Sequence, residues 1–166
     1  MAMKNSSQQA CIVGIGETAY TRWGQMADRG EWSLACEAVL KAVANAGLTI
    51  GLVDGLASFS NDSSLPWLMQ QALGLPNLGF ASMVWGGGGS GTCGALAHAA
   101  MAVESGQARY VAVFRSLCQG PGHRYGQAGG FSELPHLNFM VPFGMFSPPL
   151  MIAPLVQRYI HEFGAK

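Results

Sequence analysis

Charge is what this sequence has least of. Charged residues make up 11% of its 166 positions, against about 25% in a typical soluble domain. Nine basic and nine acidic residues cancel, so no basic field exists to draw nucleic acid or an anionic membrane surface. Long apolar runs are also missing: none reaches the roughly 18 residues that a membrane-spanning helix needs. Residues 1–9 are polar, carry one lysine and lack the apolar stretch of a secretory signal, so a cytoplasmic location is expected. The four cysteines, Cys11, Cys36, Cys93 and Cys118, show no CxxC spacing, and in a chain without an export signal disulfides are not expected. His98, His123, His136 and His161 stand at neither finger-like nor helical ligand spacing, so no metal is expected.

Apolar residues are plentiful, at 49%, and there are 23 glycines. The length suits one domain with a real core. So little charge cannot cover the surface such a core leaves. Either much of that surface is buried against another copy or a partner, or the chain is a piece of something larger.

Residues 10–15 (ACIVGI) form a short apolar run ended by glycine and read as a buried strand. Residues 22–30 are a polar loop. Over 31–46, Trp32, Ala35, Val39, Ala42, Val43 and Ala46 recur at helical spacing, and Gly47 supplies the stop. Residues 53–60 alternate as a strand would, and 66–73 form a short helix opened by proline. The pattern predicts a strand over 78–85, an Ala-rich, buried helix over 90–105 closed by Gly106, and a strand over 109–117. Strands alternating with helices favour an α/β fold with a largely parallel sheet. Residues 119–147, rich in Gly, Pro, Phe and Met, carry no sustained period and exceed a normal connection. A last helix is predicted over 148–163. This divides the chain into an α/β domain, 1–118, and a loop region with a terminal helix, 119–166.

Several motifs carry candidate chemistry. Gly14, Gly16 and Ala19 fit a GxGxxA dinucleotide fingerprint. No amphipathic helix follows, however, and no strand ends on an acidic residue at the expected distance, so glycines in a strand-to-loop turn explain it. A nicotinamide-dependent oxidoreductase would rest on this motif alone. The run Gly86, Gly87, Gly88, Gly89 with Ser90 and Gly91 lies between a strand and a helix. Backbone NH groups there can hold a phosphate or a developing oxyanion; close packing across an interface is the bland alternative. Cys93 falls in the first turns of that helix, where a thiol can serve as nucleophile or sit as a small core residue. Arg115 and Arg124, with His123, flank the Gly-rich stretch and suit phosphate recognition, although a solvated loop would carry the same residues. Residues 139–149 (FMVPFGMFSPP) read as an exposed apolar segment, either lining an acyl or sterol tunnel or forming a seam with a partner.

The order of these elements, with particular words in place, resembles the thiolase superfamily and most closely its lipid-transfer branch. The residues that carry the resemblance are Ile12 to Thr18 (IVGIGET), Ala44 to Leu48 (ANAGL) before Val53 to Leu56 (VDGL), and the Gly loop with its Ala-rich helix. They continue with Ala100 to Val103 (AMAV), Gly106, Phe143 to Met145 (FGM) and Arg158 to Gly164 (RYIHEFG). The resemblance spans nearly the whole chain. It implies a thiolase-like fold of layered α/β halves, of which this chain holds the N-terminal half (a largely parallel sheet with helices on both faces) plus the start of a loop region. It also implies acyl-CoA as substrate, with coenzyme A part of that substrate and no separate cofactor. A homodimer or hetero-oligomer is implied too, and a second half that is absent here.

The family's nucleophilic cysteine corresponds to Gly89, which has no side chain, so an acyl-enzyme cannot form at that position. Cys93 takes the role only if the alignment slips by about one helical turn. Members of this branch resembling steroid side-chain aldolases need no thiolate. They cleave a β-hydroxyacyl-CoA by a retro-aldol step with a small DUF35-type (OB-fold) partner. The expected function is therefore retro-aldol C–C cleavage of a lipid or steroid side chain, or thiolase-type acyl transfer, by a subunit or fragment. Expected site residues are Cys93 for catalysis and Gly87, Gly88, Gly89, Ser90, Arg115 and Arg124 for substrate. A non-catalytic CoA- or lipid-binding scaffold of the same fold is the alternative.

Overall fold

The computed structural model describes residues 9–22, 25–26, 28–59, 65–84, 90–118 and 139–165. The chain divides into two compact units: Met1–Arg22 with Asp28–Cys118, and Trp23–Ala27 with Gln119–Lys166.

In the first unit, helix α1 spans Glu31–Asn45. An acidic residue opens its first turn, where it complements the helix dipole. At the far end the Leu48 N–H donates to Val43 O across Gly47, whose φ of +68° suits a residue without Cβ. Leu34, Ala35, Val39 and Val43 face inward. Trp32, expected on that face, is instead 41% exposed. The outer side is solvated: Glu37 pairs with Arg29 and Lys41 at 2.6 and 2.7 Å. Hydrogen bonds from Lys41 and then Arg29 hold its carboxyl below the usual range.

Strand β1, Gly55–Phe59, is buried at all five positions. It is the middle strand of a three-stranded parallel sheet, order β2-β1-β3 among the described residues. Strand β2, Phe80–Val84, pairs with it from Gly55↔Phe80 to Phe59↔Val84, and β3, Val111–Val113, from Gly55↔Val111 to Ala57↔Val113. Burial on both faces follows from the period of two. Leu56 packs with Ala35, Val39 and Val43 of α1 and with Met69 and Leu73 of α2, Pro66–Leu73. Ala57 packs with Ala95 and Ala99 of α3, Gly91–Glu104. The molecule is thus a mixed α/β structure with a small parallel sheet and helices on both faces.

Asp54 ties the N-terminal ends of all three strands together. Its carboxylate accepts the N–H groups of Arg109, at 2.9 and 3.0 Å, and Tyr110, at 2.9 Å. Its carbonyl accepts those of Gly79 and Phe80. Charge-assisted bonds of this kind are among the stronger hydrogen bonds.

Three expectations are corrected. Residues 10–15 do not join the sheet: Ile12, Val13 and Ile15 are 76%, 56% and 76% exposed. The segment lies along α1, where the Ile15 N–H donates to Asn45 Oδ1 at 3.1 Å and Lys41 Nζ donates to Glu17 O at 3.1 Å. The predicted strand over 109–117 shrinks to three residues, Val111–Val113, whose pairing with β1 ends at Ala57↔Val113. The Ala-rich helix is buried on one side, through Gly91, Ala95, Ala99 and Ala102, while Leu96 and Met101 are exposed.

In the second unit, helix α4 spans Pro148–Phe163, with proline in its first turn and Gly164 at φ +61° as its stop. It has no buried residue. Two contacts lie within it: Arg158 pairs with Glu162, and the Tyr159 and Phe163 rings lie 4.9 Å apart. Before it, a 3₁₀ turn, Val141–Phe143, leaves Phe139 and Phe143 80% exposed. Among the described residues no helix is long and apolar enough to cross a membrane.

Candidate functional site

In parallel α/β sheets, ligands collect beyond the carboxyl ends of the strands. Here β1 ends on Phe59, which is 1% exposed, and two elements close on its ring. From one, a Cβ added to Gly91, the first residue of α3, would lie 2.8 Å from Phe59 Cδ2 and 3.0 Å from Cγ. Only glycine lets α3 begin so close. From the other, Arg115, two residues past β3, holds its guanidinium 4.4 Å from the ring centroid. This is the geometry of a cation–π contact. Phe59 therefore brings a fixed positive charge near the N-terminus of α3, whose first N–H groups have no intrahelical partner. Both features favour an anion or a developing negative charge.

Beside Arg115 opens a cavity of about 220 Å³, bounded by Gly16, Glu17, Thr18 and Tyr20, by Leu34 and Ala38 of α1, and by Ser116 and Leu117. Its near wall is fixed by glycine. A Cβ on Gly16 would stand 2.3 Å from Ala42 N and 2.4 Å from Ala38 O, and one on Gly14 would stand 2.3 Å from Ala42 O. The GxGxxA motif thus serves close contact between the 14–16 segment and the backbone of α1. At its open edge, where Tyr20 is 87% exposed, the Tyr20 hydroxyl donates to Glu17 Oε2 at 2.8 Å, and this bond to the carboxylate raises the phenol's pKa above its ordinary value.

Of the residues expected from sequence, Ser90, Cys93 and Arg115 lie at this end of the sheet. Ser90 occupies the N-cap of α3 without a side-chain cap bond. Cys93, at the third position of α3, is exposed. The histidine nearest to it in sequence does not serve it: His98 Nδ1 is hydrogen-bonded to Ser82 Oγ on β2 at 2.7 Å. Gly87, Gly88, Gly89 and Arg124, like His123 and His136, lie outside the described residues. Sequence reasoning missed Phe59 and Gly91, whose pairing depends on a contact between distant parts of the chain. It also missed the Glu17–Tyr20 pair, for which a carboxylate three residues before an aromatic was the available signal.

The other cysteines are free thiols as well. Cys118 donates to Arg29 O at 3.0 Å, and burial pushes the Cys36 thiol up. No group of three or more His, Cys, Asp or Glu among the described residues is placed to hold a metal. A second cavity, about 350 Å³ and mostly apolar, lies towards the C-terminal end of α3, lined by Phe80, His98, Met101, Ala102, Ser105 and Gln107.

Comparison with known proteins adds a functional direction. No family model matches the chain. A steroid side-chain-cleaving aldolase of Thermomonospora curvata is 40% identical over 163 residues, covering 94% of this chain and 40% of the aldolase. A 17-hydroxy-3-oxo-4-pregnene-20-carboxyl-CoA lyase of Mycobacterium tuberculosis is 38% identical over 165 residues, covering 96% of this chain and 42% of the lyase. Among solved structures, an Ltp2-ChsH2(DUF35) aldolase is similar, with a TM-score of 0.73 and 37% identity over 95% of this chain and 39% of that one. The chain spans about two fifths of the length of the relatives it matches.

These matches correct the expected placement in the lipid-transfer branch of the thiolase superfamily. The likenesses that run nearly the whole chain are to the aldolases and the lyase.

Proposed function

We propose that this chain is part of a carbon–carbon lyase that cleaves a β-hydroxyacyl-CoA, of the steroid or lipid side-chain kind, by a retro-aldol step. The observation that carries the reading is the 40% identity, over 94% of the chain, to a steroid side-chain-cleaving aldolase. In such a step a base takes the proton of the β-hydroxyl, and the C–C bond breaks to give a carbonyl and the enolate of the CoA thioester. That enolate is then protonated on carbon. The barrier falls when donors are already in place for the enolate's charge.

In this reading the electropositive end of the sheet, with the N-terminus of α3 and Ser90, faces the negative charge, and Gly87, Gly88 and Gly89 are assigned a donor role from the sequence pattern alone. Arg115 and Arg124 hold anionic groups of the CoA ester, which suits guanidinium chemistry. No thiolate is required, so Cys93 is a neighbour of the reaction and not its nucleophile. The base comes from the long loop after Cys118 or from outside this fragment, and the enzyme works as a hetero-oligomer with a second subunit. The two-component name of the similar Ltp2-ChsH2(DUF35) aldolase supports that arrangement.

The test is a cleavage assay with a β-hydroxyacyl-CoA, using the chain with and without a DUF35-type subunit. Turnover is expected only with the second subunit, and Cys93→Ala is expected to leave it unchanged within about twofold. Loss of turnover in Cys93→Ala would replace the aldol step with thiol chemistry. CoA-ester binding without turnover in any assembly would leave a non-catalytic binding module.

A further inference from the structure

Helix α3 meets the sheet through its smallest residues. A Cβ on Gly91 would press into the Phe59 ring, and one on Gly94 would lie 3.1 and 3.3 Å from Val84 Cγ1 and Cγ2. Further along, Ala95 and Ala99 are buried against Ala57. Glycine and alanine bring the helix close but raise no ridge to lodge in a groove. Such contacts fix the distance of the helix from the sheet better than its position along or about its own axis. A polar contact supplies the direction they lack: His98 Nδ1 lies 2.7 Å from Ser82 Oγ, and both side chains are half-buried. Hydrogen bonds weaken steeply as they leave line, so this one resists sliding and rotation together. Ser82 stands at the middle of β2, opposite Ala57. His98 lies about two turns beyond Gly91 on the same side of the helix.

We infer that His98 and Ser82 are positioning residues: their hydrogen bond sets where the N-terminus of α3 stands beyond the carboxyl end of β1. The inference rests on the lyase reading, in which the N-terminus of α3 and Ser90 face the enolate's charge. Donors lower the barrier when they are already in place for that charge, and a misplacement of about 1 Å costs on the order of 100-fold in rate. The bond joins the strand that runs into residues 85–89 to the helix that follows them, so it holds both flanks of the glycine run. Neither side chain needs to touch the substrate. The bond lies roughly 10 Å back from the helix start, and the helix carries its effect forward as a rigid rod.

The experiment uses the chain assembled with a DUF35-type subunit and a β-hydroxyacyl-CoA substrate. Ser82→Ala and His98→Leu are each expected to lower kcat about tenfold or more while KM stays within about twofold, as when an interaction serves the transition state alone. The double variant is expected to be no slower than the slower single one, because both substitutions remove the same bond. His98→Asn, whose amide reaches the place of Nδ1, is expected to restore kcat to within about threefold of the unaltered protein. In the chain alone, the amide resonances of Gly91 and Thr92 are expected to move in Ser82→Ala. Unchanged kcat in folded Ser82→Ala, or a double variant slowed by the product of the two single effects, would overturn the inference. So would amides of Gly91 and Thr92 that stay in place, for the bond would then only satisfy two polar groups. If no assembly of the unaltered chain cleaves a β-hydroxyacyl-CoA, the lyase reading falls, whereas the amide shifts still uphold or overturn the placing of α3 by this bond.

Discussion

Arg115 owes its position to a side chain 56 residues earlier. The guanidinium rests over the Phe59 ring, which is itself held at the buried end of β1, so the cation is fixed although it is exposed. A pre-positioned arginine loses less freedom on binding an anion than a solvated one. Under the proposed function, Arg115→Ala is therefore expected to weaken binding of a CoA ester about tenfold, or ~1.4 kcal/mol. Arg115→Lys should recover only part of that, because an ammonium keeps the charge but loses the planar stack. Calorimetric titration of the assembled protein checks this, and affinity unchanged by both substitutions would remove Arg115 from the site. The sequence made Arg115 a candidate, since it flanks the Gly-rich stretch and a guanidinium suits phosphate. It did not reveal what fixes the arginine: that depends on a long-range meeting of Phe59, Gly91 and Arg115, which no local pattern announces.

At the level of elements, legibility depended on whether local signals matched tertiary surroundings. Helix α1 announced itself because its apolar spacing and the stop at Gly47 agree with its packing. The run over 10–15 misled because an apolar composition that reads as a strand says nothing of a ladder partner. The structure instead presses Gly14 and Gly16 against α1. Gly16→Ala tests that arrangement. Its Cβ would collide with Ala42 N and Ala38 O, both backbone atoms of the helix that cannot swing aside. Overpacking of this kind costs about 1–3 kcal/mol. The segment is expected to lift from α1, breaking the bond from the Ile15 N–H to Asn45 and speeding exchange of that amide at least tenfold. Unchanged exchange at Ile15 would show that the segment is held by something other than this contact.

For the molecule as a whole, the decisive fact is where the core lies. Both buried clusters, one around Leu56 with α1 and α2 and the other around Ala57 with α3, are built from residues of the first unit. Helix α4 contributes no buried residue, has Pro154 in its interior and exposes Ile152, Leu155, Val156, Tyr159 and Phe163. At 16 residues the helix is barely longer than the roughly 12–15 below which an isolated helix is marginal in water, and its interior proline weakens it by about 3 kcal/mol. Stability of the first unit and order in α4 should therefore separate. A chain ending at Cys118 is expected to unfold cooperatively, with a midpoint within about 4–8 °C of the full chain, the shift that 1 kcal/mol produces in a domain of roughly this size. A peptide of residues 119–166 is expected to give no cooperative melt by circular dichroism, because nothing within α4 supplies a core. If truncation at Cys118 abolished the transition, the second unit would be part of the folding core.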